Sequence, residues 1–203
     1  MNALEFFLSQ HTRLHSAGVG QVEGGSFADR VFGGLPDDQM RLRPAKGMNS
    51  LAWLLWHLAR AEDAVVNVVV GAREQVLSAG DWPRRLGVAR RDIGTAMTDA
   101  EVGELGARLD IATARAYRDA VGRRTQEVAA SLRPERWDEI LSVVDTDRAV
   151  AAGAFGPGAE WVPKAYQGRS RGGMLGANAI AHNAMHLGEA ISVRGLAGLG
   201  LGL

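Results

Sequence analysis

The chain has 203 residues, 46% of them hydrophobic and 23% charged, which is the balance of one globular domain with a core of its own rather than of a disordered or fibrous chain. Its 23 basic and 23 acidic residues cancel, so no net field recruits a polyanion, and nucleic acid is not an expected partner. Cysteine is absent, which excludes disulfides, a catalytic thiolate and sulfur-ligated metal, and leaves histidines and carboxylates to carry any chemistry.

The N-terminal MNALEFFLSQ lacks the basic run, apolar stretch and small-residue cleavage site of a signal peptide. No apolar run is long enough for a bilayer, so a cytoplasmic location away from membranes is expected. Over residues 2–17, Leu4, Phe7, Leu8, His11, Leu14 and His15 recur at helical spacing and predict a first amphipathic helix. Glycines at 18, 20, 24 and 25 interrupt it, and SFADRVF (26–32) resumes helix before the turn-like GGLPDD, so the first helix is expected to be broken or bent.

Asn49 or Ser50 can cap the run LAWLLWHLARAEDAVVNVVV, with Gly71 as its C-terminal stop. That second helix is apolar over a wide arc, as a helix buried on several sides should be. Residues 72–97 carry Gly80, Pro83, Gly87 and Gly94 with no sustained period, and read as a long crossover. Thr98-Asp-Ala-Glu101 has the form of a capping box, and Asp110 caps a longer run from Ile111 to Leu132, which Pro134 prevents from continuing. Within residues 138–169, GAFGPGAEWVPKAYQG reads as loop. Helical periodicity returns in SRGGMLGANAIAHNAMHLGEAISVRGLAG up to about Arg194, and the glycine-leucine tail at 198–203 is expected to fray.

Five histidines occur, and their spacing is informative. His11 and His15 are four apart, as are His182 and His186, while His57 stands alone. Side chains at i and i+4 lie about 40° apart on a helix, so both imidazoles of a pair can reach one ion. Asn178, His182, His186 and Glu189 form a narrow polar stripe on the last helix, costly in a packed interior unless satisfied. His57 lies in line with Leu54, Ala61, Ala64 and Val68, whereas Glu62 and Asp63 sit more than about 100° away around the wheel and are excluded as its immediate partners. The competing reading for each lone histidine is a core residue bonded to a backbone carbonyl, and for His11 and His15 a partly exposed, solvated face. Spacing alone leaves the metal question open.

The strings NSLAWLLWHLARAED and IAHNAMHLGEA, with GDWPRRLG and the Thr98 capping box between them, resemble the DinB-like superfamily over most of the chain. The resemblance implies an all-α, four-helix bundle, up-down-down-up, with its long crossover between helices two and three, as a single domain over residues 1–203. It also implies a three-histidine metal site, one ligand midway along helix two and a His-x3-His pair on the last helix, which fall on His57, His182 and His186. His11 and His15 are then expected to stand apart: in an unbroken antiparallel pair, His15 would lie at a different level from His57. The glycines at 18–25 are a departure that puts the first helix's geometry in doubt.

Three neutral imidazoles leave a coordination position open, the arrangement of catalytic rather than closed metal sites. Nitrogen donors suit zinc, nickel or iron(II), of which zinc or nickel is expected. Glu189 has two readings: orienting a ligand imidazole or taking a proton at the site, against pairing with Arg194. The family resemblance implies a metal-dependent thiol transferase or hydrolase acting on a small molecule. A thiol would have to arrive as a low-molecular-weight cosubstrate, and a basic complement with only Lys46 and Lys164 as lysines leans toward mycothiol. The alternative is a stress-associated metal-binding protein without turnover. The apolar arc of helix two, with Trp53, Trp56, Trp137 and Trp161, suggests either core packing or a homodimer face.

Overall fold

Helix starts along this chain are set by short polar side chains. Asn2, Ser26, Thr98 and Ser142 each accept an amide hydrogen bond from the acid three residues on, whose carboxylate bonds back to the cap's own amide. They open α1 (Ala3–Leu14) and α2 (Phe27–Phe32), followed by the short α3 (Asp37–Met40). Ser50 caps α4 (Leu51–Glu62), and after α5 (Trp82–Leu86) come α6 (Asp99–Arg108) and α7 (Ile111–Ser131), the last capped by Asp110. The chain ends with α8 (Val143–Ala151), α9 (Val162–Tyr166), α10 (Arg171–Leu175) and α11 (Asn183–Leu196). The computed structural model describes residues 1–203, and all its regular elements are helical, with a single isolated bridge between Ile140 and Ser170.

Two of the rods change winding partway. α4 runs without a break into π-helical turns from Asp63 to Val70, and α10 runs into π-helical turns from Gly176 to His182 before α11. Such wider turns collect at functional sites because they re-aim side chains within a helix. Every residue from Leu51 to Val70 is buried, so the wide apolar arc is consumed within one chain and offers no dimer face; Trp53 and Trp56 are core, while Trp161 lies on the surface. Gly71 does not adopt the left-handed conformation expected of a C-terminal glycine. The π turn already pairs its amide with Val66, and Arg171 donates to the free carbonyls of Val69 and Val70.

Three sequence expectations need correction. The 138–169 region is not loop throughout: Ser142-x-x-Asp145 starts α8, and Pro163 sits harmlessly in the first turn of α9, within the GAFGPGAEWVPKAYQG stretch. The tail at 198–203 is tied down, because Arg194 donates to the carbonyls of Leu199 and Gly200. His11 and His15 are both fully buried rather than solvated.

The core falls into two apolar clusters. One joins Leu51–Ala59 to Tyr117 and Val121 of α7 and to Leu187, Ala190 and Val193 of α11. The other joins Ala61–Val70 to Phe7, Val128 and Ala129, and to Met174, Leu175 and Ala179. At the level between them each long helix contributes buried polar groups: His11 from α1, Arg60 and Glu62 from α4, Thr125 from α7, and Asn183 from α11. A belt of polar side chains therefore crosses an otherwise apolar interior, and the candidate site lies along it.

Candidate metal centre

His57 leaves the middle of α4 with its ring stacked on Trp53, 4.5 Å between centroids and 10° between planes. Its Nδ1–H donates to the carbonyl of Ile93 at 2.6 Å, so the 72–97 connection supplies the backbone acceptor that fixes the ring. Gly94, at φ +83°, is the next residue; a Cβ there would meet Trp56 at 2.7 Å, so this close approach requires glycine. With its Nδ1 protonated, neutral His57 presents the lone pair of Nε2 inward.

The last rod brings the other two rings to the same place. His182 closes the π-helical stretch and His186 lies one turn on, their ring centroids 4.5 Å apart. His186 Nδ1–H donates to Glu189 at 2.7 Å, and the other carboxylate oxygen of Glu189 accepts from Asn49 Nδ2 at 2.8 Å. Arg194 is occupied elsewhere, on the carbonyls of Val31 and Gly33, so Glu189 pairs with a histidine and not with that arginine. Each of the three histidines has a ring nitrogen within 4.8 Å of the others.

These donors fit a cation. His57 Nε2 and His182 Nε2 stand 3.3 Å apart, whereas the metal–nitrogen length of about 2.0–2.1 Å in a tetrahedral zinc site implies ligand separations of about 3.4 Å. Burial is the main cause holding the His57 pKa down to about 4, helped by His186, against the opposing bonds and charge of Ile93 and Glu189. Burial likewise lowers His182 to about 3, with His57 and His186 adding to the effect. The hydrogen bond from His186 is the largest cause of the lowered Glu189 pKa, so the carboxylate is ionised beside the ring it orients. Neutral imidazoles and an ionised orienting carboxylate are the protonation states that ligation requires.

The same shifts predict how the metal-free protein responds to acid. Unfolded histidines take protons near pH 6.5, but folded His57 and His182 do so only near pH 4 and 3, so between these limits the unfolded state binds more protons. Stability of chelator-treated protein is therefore unaffected by these two groups above pH 6.5 and falls as pH drops from 6.5 toward 4. Thermal melts across this range in His57→Gln/His182→Gln should show a shallower fall than in the parent. Parallel curves would contradict the assignment.

A cavity of about 450 Å³ opens in front of the three histidines, walled by Trp53, Ile93, Met97, Trp161, Val162 and Tyr166. Asn178 also faces it, and its buried Oδ1 has no hydrogen-bond partner. A larger groove of about 760 Å³ beside Ser9, Thr12 and Arg13 holds no comparable cluster. The sequence gives no sign of Ile93, which acts through its backbone, and reads Asn49 only as a possible cap; Ser50 takes that role and frees Asn49 for Glu189.

A second polar cluster lies elsewhere along the belt. Glu62, on the opposite side of α4 from His57 as the wheel requires, faces His11 Nε2 at 2.9 Å and His15 Nε2 at 3.5 Å. Asn183 Nδ2 donates to its Oε2 at 3.0 Å, while Arg118 donates to Asn183 Oδ1 at 2.8 Å. Burial opposes ionisation of Glu62, but His15, His11 and Arg118 outweigh it and hold the carboxyl below its usual range. His11 and His15 thus stand apart from the His57 group, as expected, although they are enclosed rather than solvated.

No curated protein matches the chain. The family model of the DinB superfamily matches residues 28–190, which takes in all three histidines of the centre, the crossover and the capped starts of α4, α6 and α7. The chain belongs to the DinB superfamily.

Proposed function

We propose that the three-histidine group binds one divalent metal, zinc or nickel before iron, in a metal-dependent enzyme of thiol-transferase or hydrolase type acting on a small molecule. The observation that carries this reading is the convergence of His57, His182 and His186 at the floor of an apolar cavity, with the Nε2 atoms of the first two 3.3 Å apart. When bound, the metal would act as a Lewis acid, lowering the pKa of an incoming water or thiol near neutral pH. The helical order fits an up-down-down-up bundle in which residues 72–97 cross over and deliver the Ile93 carbonyl to His57.

In this reading the protein's own side chains hold and orient. Ile93 and Glu189 fix the tautomers of His57 and His186, and Asn49 fixes Glu189. With one oxygen on His186 and the other on Asn49, Glu189 acts in this reading as a positioning residue. Trp53, Trp161 and Tyr166 exclude water around an apolar substrate, and Asn178 Oδ1 is free to accept from its polar end. The cavity has no cysteine, so a thiol such as mycothiol would enter as cosubstrate.

The test is a screen of zinc- and nickel-loaded protein with a chromogenic electrophile, supplying mycothiol, glutathione or bacillithiol, and with ester substrates in their absence. Turnover is expected in at least one arm and is abolished in His182→Ala. Full metal occupancy with no turnover in any arm would instead assign a binding protein without catalysis.

A further inference from the structure

We propose that His11, His15 and Glu62 form a second, fully enclosed site for a divalent cation, distinct from the three-histidine centre. Ser16 Oγ donates its one hydrogen to Asp119 Oδ1 at 2.7 Å and so accepts from His15 Nδ1 at 3.1 Å. Nδ1 then carries the proton of the neutral ring, and Nε2 turns a lone pair toward Glu62 Oε2, 3.5 Å away. A lone pair against a carboxylate is repulsive, and this nitrogen has no hydrogen-bond partner although its residue is wholly buried. Something positive belongs between them.

Either a proton or a metal ion would serve. A proton would make His15 an imidazolium, paired with Glu62 but fully buried and near the guanidinium of Arg118, which already donates to the His15 carbonyl. A divalent cation, on displacing the proton by which His11 Nε2 donates to Glu62 Oε1, would meet three donors whose spacing suits it: Glu62 oxygens lie 2.9 and 3.5 Å from His11 and His15 Nε2, bracketing the roughly 3.4 Å expected between ligands of a tetrahedral zinc site. Two imidazoles and one carboxylate favour zinc or another first-row transition metal over magnesium or calcium, which prefer oxygen. Arg118 does not compete for Glu62 directly, because Asn183 stands between them, its Oδ1 accepting from the arginine and its Nδ2 donating to the carboxylate.

Enclosure separates this site in kind from the first. The side chains of His11, His15 and Glu62 have no exposure, so no substrate reaches them, and the cation would join α1 to α4 as a structural link. Gly122 of α7 lies against His15; a Cβ there would come within 2.5 Å of the ring, which holds that imidazole in place.

The experiment is equilibrium dialysis of tag-free protein against Co²⁺ and Zn²⁺, counting equivalents by elemental analysis. Two equivalents are expected for the unaltered chain, one for Glu62→Gln, and one for His57→Ala/His182→Ala. Glu62→Gln retains size and one of the two acceptor oxygens, and circular dichroism checks that each variant is folded. An unaltered chain that takes one equivalent, all of it lost in His57→Ala/His182→Ala, overturns the proposal and leaves a proton as the occupant. One equivalent lost in Glu62→Gln but kept in the His57 variant would support this site and refute the three-histidine reading. Should Glu62→Gln fail to fold, His15→Gln takes its place with the same expected count of one.

Discussion

Alanine at His57, His182 or His186 is expected to empty the proposed three-histidine site: the equivalent of metal bound there should fall from near full occupancy to near none in protein purified without a tag. Each substitution removes one of three donors grouped within 4.8 Å and leaves two neutral imidazoles, too few to compete with water for a divalent ion. Because a ligand that binds only the folded state stabilises it by mass action, the parent at a hundredfold excess over its dissociation constant gains about 2.7 kcal/mol that the variants lack. The melting temperature of the parent is therefore expected to fall further on chelation than that of each variant, which has only the enclosed site to lose. His11→Ala leaves this particular equivalent in place. A folded His57→Ala that keeps it would remove the basis for the proposed function.

Asp63→Ala should be the most destabilising single change in the belt. The Asp63 carboxylate is completely buried and receives hydrogen bonds from Arg60 Nη1, Tyr117 Oη, Asn67 Nδ2 and the amides of Val76 and Leu77. Removing it strands the fully buried guanidinium of Arg60, whose remaining partners are the neutral Gln75 side chain, Tyr117 and the carbonyl of Arg91. Breaking one side of such a pair costs about 3–5 kcal/mol, which for a chain of this size lowers the melting temperature by roughly 6–20 °C. Two amides of the crossover lose their acceptor at once, so hydrogen exchange at Val76 and Leu77 should accelerate with it. A melting temperature within two or three degrees of the parent would show that the ion pair matters far less than its burial implies.

The parts of this structure that are legible in the sequence are those written locally. Ser50, Thr98 and Asp110 cap helices where their side chains can reach amides a few residues away, and the four-residue spacing of His182 and His186 places both on one face. The assignment of His57 to the same group rests on family resemblance, because it lies 125 residues from His182. What escapes is set by distant partners. The apolar stripe of Ala3–Leu14 includes His11, but nothing within it names the carboxylate that receives the ring, 51 residues away on α4. The π-helical turns at 63–70 and 176–182 have no compositional mark, and Ile93 contributes only a carbonyl, which every residue has. By contrast α8 is legible: Ser142-x-x-Asp145 carries the same capping signature as Thr98-x-x-Glu101.

The polar belt between the two apolar clusters has a consequence for how the helices find their alignment. In an interior of leucine, valine and alanine alone, one helix can slide past another by a turn, about 5.4 Å, and still bury comparable surface. Here a slip of that size would carry Arg60, Glu62 or His11 into hydrocarbon and leave its partners facing methyl groups. The belt thus works as a key cut across the rods: it gives up some cohesion at mid-height and, in return, admits only one longitudinal setting of α1, α4, α7 and α11.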